Sequence, residues 1–206
     1  MSSSSTSGYQ EGRPRGRFSF RSPSANRCGV DPRLPHELVR TFCEIDFQAL
    51  AARGIVNACL DVDNTLLPQT AEFVDPAVVR HLQDARERGW IKNLCIISNV
   101  IWKNGSRGAR LERICQSLDI PLYYAASFWT RKPTQHPFRW ALEVMKASPS
   151  ETAMIGDQIY ADVVGGNRMG LYTILLKPIS PDHWTTRIIG RRLREHLLLR
   201  YYLIKR

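Results

Sequence analysis

The sequence of 206 residues lacks any long hydrophobic run. None approaches the roughly 18 apolar residues that a helix needs to cross a bilayer, so no membrane span is expected. The N-terminus has no apolar core of the kind a secretory signal carries, so no signal peptide is expected either. Cysteine is sparse and odd in number: Cys28, Cys43, Cys59, Cys95 and Cys115 are scattered, and no Cys-x-x-Cys pair occurs. That excludes a disulfide framework and a thiolate zinc site, and it points to reduced thiols in an intracellular, cytoplasmic protein. Acids are in deficit, with 19 Asp and Glu against 29 Lys and Arg and a net charge of +10. Such an imbalance expects an acidic partner, whether phospholipid, nucleic acid or a phosphorylated ligand, and does not choose among them.

What is present falls into three parts. Residues 1–29 are rich in Ser, Arg, Gly and Pro, with Glu11 the sole acid. This composition cannot bury enough apolar surface to fold, so a disordered tail is expected. An organelle-targeting segment or a basic arm touching anionic surfaces would have a similar composition. Residues 30–183 read as one domain of ordinary size. Residues 184–206 carry seven Lys/Arg against Glu195, with Ile189, Leu193, Leu197, Tyr201 and Ile204 near one helical face. A basic amphipathic helix of this kind, flanked by Trp184 and Tyr202, expects peripheral contact with an anionic membrane. The alternative is a terminal helix packed on the domain with its basic face in solvent.

Inside the domain, short apolar runs alternate with helical periodicity. The runs Gly54–Leu60, Asn93–Ile97, Ile120–Tyr124, Thr152–Ile155 and Leu171–Leu176 read as buried strands. Helices are expected at residues 35–43, 45–53, 76–88, 107–118, 137–146 and 162–169, several of them closed by glycine. Near-continuous apolar strands separated by helices predict an α/β fold with a five-stranded parallel sheet covered on both faces. Ligands bind beyond the carboxyl ends of such strands.

The polar residues with chemical promise fall at those ends. Asp61 and Asp63 follow the first strand, Ser98 and Asn99 the second, and Asp157 the fourth, while Lys132 lies on the loop beyond the third. Two carboxylates at i and i+2 repel one another, and burial raises that cost, so a divalent cation with a taste for hard oxygen, such as Mg²⁺, would relieve them. Asp61 could then act as a nucleophile towards phosphorus, and Asp63 could give a proton and later take one back. Ser98 offers a hydroxyl to a phosphate oxygen, or caps the next helix. Lys132 offers a point charge to a transferring anion, or is a solvated surface lysine. Asp162 could orient Lys132 or a metal-bound water, or cap the following helix.

The set Asp61-Val62-Asp63-Asn64-Thr65, Ser98, Lys132-Pro133 and Gly156-Asp157 with Asp162 resembles the four motifs of the haloacid dehalogenase (HAD) superfamily, in order and location. The resemblance implies a three-layer Rossmann-like core with strand order 3-2-1-4-5, Mg²⁺, and an aspartyl-phosphate intermediate. It implies Asp61 as nucleophile, Asp63 as general acid/base, and Asp61, Asp157 and the main-chain carbonyl of Asp63 as the metal set. Thr65, Ser98, Asn99 and Lys132 become the substrate-binding set, with Asp162 behind them. Leu34-Pro35, Asp46, Gly156-Asp157-Gln158 and the run Gly165–Leu175 further resemble the YqeG-like class IIIA phosphatases, similar to the phosphatidylglycerophosphate phosphatases of cardiolipin synthesis. Residues 64–92 and 125–151 have room for a loop and one helix each, so no large cap domain is expected and the site should be open. The expected function is dephosphorylation of phosphatidylglycerophosphate at a membrane surface. A soluble phosphate ester, a nucleic-acid end or a non-catalytic assembly role on the same fold are the alternatives.

Overall fold

The computed structural model describes residues 31–99, 106–126 and 129–180. Strand β1 (Glu37–Val39) leads through a single 3-10 turn (Phe42–Glu44) to helix α1 (Phe47–Ala52). Then come β2 (Asn57–Leu60), α2 (Pro76–Glu87), β3 (Asn93–Ser98), α3 (Ser106–Ser117), β4 (Tyr123–Ala125) and α4 (Gln135–Met145). Strand β5 (Thr152–Gly156), a π turn (Ile159–Val163), α5 (Val164–Arg168) and β6 (Tyr172–Leu176) complete the described chain. Among the described residues, no helix is long and apolar enough to cross a membrane. The expected tail at 1–29 and the basic helix at 184–206 lie outside the described residues.

The sheet is parallel throughout and has six strands in the order β1-β6-β5-β2-β3-β4. The five expected strands appear in the expected order, as β4-β3-β2-β5-β6. The sixth is a correction: residues 35–43 are not a helix but contain β1. Three residues carry too little periodicity to declare themselves. Here the free edge of β6 decides, pairing Glu37, Leu38 and Val39 with Ile174, Leu175 and Leu176. The expected helix at 162–169 likewise begins earlier, at Ile159, because the chain first makes a wide turn.

Local signals place the other helices. The Asp46 carboxylate accepts from the amide of Ala49 at 2.8 Å and so starts α1, and Gly54 closes it with φ 80°. Asp75 does the same for α2 through Ala77, with Pro76 in the first turn. Alternate strand residues then bury into opposite layers. Ala58, Leu60, Leu94 and Ile96 pack with Phe47, Leu50, Leu82 and Ile114 of α1–α3 and with Leu118 just after α3. Cys59, Cys95, Ile97 and Met154 pack with Phe138, Ala141, Leu142 and Met145 of α4. The result is a three-layer α/β core in which β2, β3 and β5 are buried on both sides.

Candidate active site

Parallel register brings the ends of the central strands level. Leu60 pairs with Ile96 on one side and Ile155 on the other, so the residues just past β2, β3 and β5 leave the sheet at one edge. Asp61 is the first of them. Its amide donates to the carbonyl of Ile155 at 2.9 Å, which fixes its backbone, and its side chain is buried. Asp157 and Ser98 reach the same edge from β5 and β3, both buried. Thr65 Oγ1 stands 3.4 Å from Asp61 Oδ2, at the long limit of a hydrogen bond.

Lys132 arrives from the loop between β4 and α4 and is buried. Its ammonium donates to Asp61 Oδ1 at 2.7 Å and forms an ion pair with Asp162 Oδ1 at 2.7 Å without hydrogen-bond alignment. Asn99 supports it: Asn99 Oδ1 accepts from the Lys132 amide at 2.9 Å, and Nδ2 donates to the Lys132 carbonyl at 3.3 Å. Both ends of the Asn99 amide thus serve the main chain of Lys132. Burial by itself works against the Lys132 charge, but the carboxylates of Asp162 and Asp61 outweigh it and raise the pKa above the usual lysine value.

Asp162 enters through the π turn. Its Oδ2 accepts from the amide of Gln158 at 3.0 Å, a residue before the turn, so it does not cap α5. Of its expected roles, the one its geometry matches is contact with Lys132. Burial pushes its carboxyl up to about 6, against the pull of Lys132 and with the Asp61 charge adding to the rise. Gly156 is the residue that admits it: a Cβ there would lie 2.3 Å from Asp162 Cγ.

Asp61, Asp157 and Asp162 each offer an oxygen within 4.8 Å of the other two, and all three are buried. One ammonium cannot balance three carboxylates. A hard divalent cation can, and an all-oxygen donor set fits Mg²⁺ better than a softer metal. The carboxylate of Asp63 stands apart from this group. Arg110 Nη1 donates to Asp63 Oδ1 at 2.8 Å, leaving the Asp63 side chain 35% exposed.

Arg110 is a site residue that sequence reasoning missed. It lies in the second turn of α3, and besides Asp63 it donates to the carbonyls of Ala71 (2.8 Å) and Pro68 (3.1 Å). One guanidinium therefore ties the acid to the loop that runs on from it. Asn64 is the second. It is buried, adopts φ 62°, and accepts at its side-chain Oδ1 from Ser180 Oγ at 2.6 Å. The signal for Asn64 was its type, since asparagine tolerates the left-handed region.

Residues 28–180 match the family model described as mitochondrial PGP phosphatase. The chain is 33% identical over 166 residues to the probable phosphatase YqeG of Bacillus subtilis, covering 80% of this chain and 89% of that one. It is 26% identical over 152 residues to phosphatidylglycerophosphate phosphatase 1, chloroplastic/mitochondrial, of Arabidopsis thaliana, covering 71% of this chain and 41% of that one. Among solved structures, the putative HAD-hydrolase YfnB from Bacillus subtilis is 18% identical with a TM-score of 0.41, covering 63% of this chain and 90% of that one.

Proposed function

The chain belongs to the mitochondrial PGP phosphatase family, a YqeG-like branch of the HAD phosphatases, and on that premise we propose that it is a Mg²⁺-dependent phosphomonoesterase converting phosphatidylglycerophosphate to phosphatidylglycerol. The observation that carries the reading is the buried trio Asp61, Asp157 and Asp162, two of which, Asp61 and Asp162, share the Lys132 ammonium. The trio has the charge and donor type for a divalent cation. Magnesium held by Asp61, Asp157 and the main-chain carbonyl of Asp63 would neutralise the oxygens of the phosphoryl group.

The residues of the chain do the rest. A carboxylate oxygen of Asp61 attacks phosphorus and forms an aspartyl phosphate as the bond to the ester oxygen breaks. Asp63 gives its proton to that leaving oxygen. In the second step Asp63 takes a proton from water, the water oxygen attacks phosphorus, and phosphate leaves with Asp61 restored. Lys132, Thr65 and Ser98 hold the phosphate oxygens, and Asn99 and Asp162 hold Lys132. Arg110 pairs with the Asp63 side chain and restrains its rotamer.

Two things favour a phospholipid as substrate. The Arabidopsis relative bears the name of the phosphatidylglycerophosphate phosphatase. Among the described residues the connections at 61–75 and 129–134 carry no inserted domain, an arrangement that suits a headgroup that stays in its bilayer. The partner is then an anionic phospholipid and the protein sits peripherally on a membrane, with no nucleic-acid role. The test compares phosphate release from phosphatidylglycerophosphate in mixed micelles with release from soluble phosphate esters, with Mg²⁺ or EDTA. The lipid should be preferred, EDTA should abolish release, and Asp61→Asn should lower it at least about 10³-fold. Equal release by wild type and Asp61→Asn would refute the covalent mechanism; preference for the soluble esters would refute the lipid.

A further inference from the structure

The charge of the protein is not spread evenly. Residues 31–180 hold 17 Lys/Arg against 16 Asp/Glu, close to neutrality. Residues 1–30 hold five Arg against one acid, and residues 181–206 hold seven Lys/Arg against two acids. The C-terminal basic segment therefore begins directly after Ser180, and the structure shows where that root lies. Lys177 donates its amide to the carbonyl of Val39 at 3.1 Å, Ile179 its amide to the carbonyl of Asn64 at 3.3 Å, and Ser180 its hydroxyl to the Asn64 side chain at 2.6 Å. Asn64 is next to Asp63 in the loop of the candidate active site. The basic segment thus departs from the rim of the site.

The same rim carries exposed apolar side chains. Among the described residues five large ones are exposed, and the two most exposed are Trp129 (83%) and Phe73 (80%). Phe73 lies on the loop after β2, Trp129 on the loop after β4, and the half-exposed Ile179 just after β6. All three loops leave the carboxyl edge of the sheet. Leu38 and Val144, the other two, lie on β1 and α4. Single exposed apolar residues are ordinary on a protein surface; their gathering on the loops around the site is not. Aromatic rings favour the level of lipid headgroups, and each nearby Lys or Arg strengthens attraction to an anionic surface by roughly five-fold.

We propose that the carboxyl edge of the sheet is a membrane-docking face, with Phe73, Trp129 and Ile179 as its apolar contacts, and that its occupant is an anionic phospholipid bilayer, opposite in sign to the basic composition of residues 181–206. The proposal deepens the phospholipid reading and rests on it for the purpose of docking. In this orientation a headgroup meets Asp61 without leaving the membrane.

The experiment uses the full chain and vesicles of phosphatidylcholine, with or without phosphatidylglycerol, in co-sedimentation. Wild type should bind the anionic vesicles and not the neutral ones. The double variant Phe73→Ser/Trp129→Ser should lose roughly ten-fold or more in partitioning. The control pair Leu38→Ser/Val144→Ser should bind as wild type, and both pairs should hydrolyse p-nitrophenyl phosphate at the wild-type rate. Undiminished binding by the Phe73/Trp129 variant, an equal loss in the control pair, or no binding by wild type would overturn the docking face. So would a wild-type dimer in light scattering that the Phe73/Trp129 variant abolishes, since a second copy would then be the occupant. Vesicle binding through these residues without hydrolysis of embedded phosphatidylglycerophosphate would uphold the face and sink the substrate. Hydrolysis in micelles without any dependence on these residues for vesicle binding would do the reverse.

Discussion

Replacing Lys132 with methionine should destabilise the metal-free domain by about 3–5 kcal/mol, the usual cost of removing one partner from a buried ion pair. Methionine roughly matches the lysine stem, so the change is one of charge more than of volume. The structure makes the cost concrete: the ammonium is 2.7 Å from both Asp61 and Asp162, and all three residues are buried. Without it, two carboxylates face each other with no counter-charge. A domain of this size has about 5–15 kcal/mol in total, so Lys132→Met should still fold but unfold at distinctly lower urea. The double variant Lys132→Met/Asp162→Asn removes one of the two orphaned charges and should regain about 1–2 kcal/mol of the loss. Urea unfolding followed by tryptophan fluorescence in EDTA measures wild type, both single variants and the double variant. Equal stability of Lys132→Met and wild type in EDTA, or an equal cost of Asp162→Asn with and without Lys132, would refute a stabilising buried pair. Saturating Mg²⁺ should narrow the gap, because a dication replaces the missing positive charge. Activity should not return with it: losing a donor aimed at the transferring phosphoryl group costs about 10²–10³ in rate.

Arg110→Met should lower kcat/KM by about 10- to 100-fold on alkyl phosphates, whose leaving oxygen needs the proton of Asp63, and far less on p-nitrophenyl phosphate, whose leaving group does not. Equal losses on both substrates would show that Arg110 is structural and does not position the acid. The raised pKa of Asp162 predicts a pH effect on the metal-free domain. Its folded value of about 6 lies above the ordinary 3.8, so between these the folded state holds the extra proton. The contribution of Asp162 is therefore largest below about pH 4 and falls by about 3 kcal/mol as pH rises through 6, a slope that Asp162→Asn should lack in urea unfolding across that range. Gly156→Ala should drive its new methyl into Asp162 and displace that carboxylate from Lys132. Its Mg²⁺ affinity by calorimetry should fall at least about ten-fold, as for loss of a supporting contact at a metal site, and an unchanged value would remove Asp162 from the cation's surroundings.

The parts of the fold legible from sequence are those decided locally. The central strands are buried on both faces, so each is an apolar run that announces itself, and the helices between them begin at Asp46 and Asp75 and end near Gly54 and Gly89. Strand β1 was illegible because nothing within Glu37-Leu38-Val39 distinguishes it from a helical turn. Leu38 is 45% exposed and Val39 buried, a pattern either element could show, and the edge of β6 alone settles the matter from 137 residues away at the nearest hydrogen bond, His36 to Thr173.

The site divides in the same way, and the division has a physical cause. Asp61, Asp63 and Asp157 are conspicuous because a carboxylate at the end of a buried strand has no cheap structural purpose, and Ser98, Lys132 and Asp162 because they fall in motif order beside them. Arg110 and Ser180 have such purposes in plenty: an arginine on an amphipathic helix reads as its solvated face, and a serine after a strand as a turn. Their partners, Asp63 and Asn64, lie 47 and 116 residues away. Yet these two contacts hold the catalytic loop from outside, one through a guanidinium on α3 and one through the segment leading to the basic C-terminus. Charges that react can be found by asking what they cost to bury; groups that merely aim them cost nothing in isolation, and only the folded arrangement of loops reveals which they are.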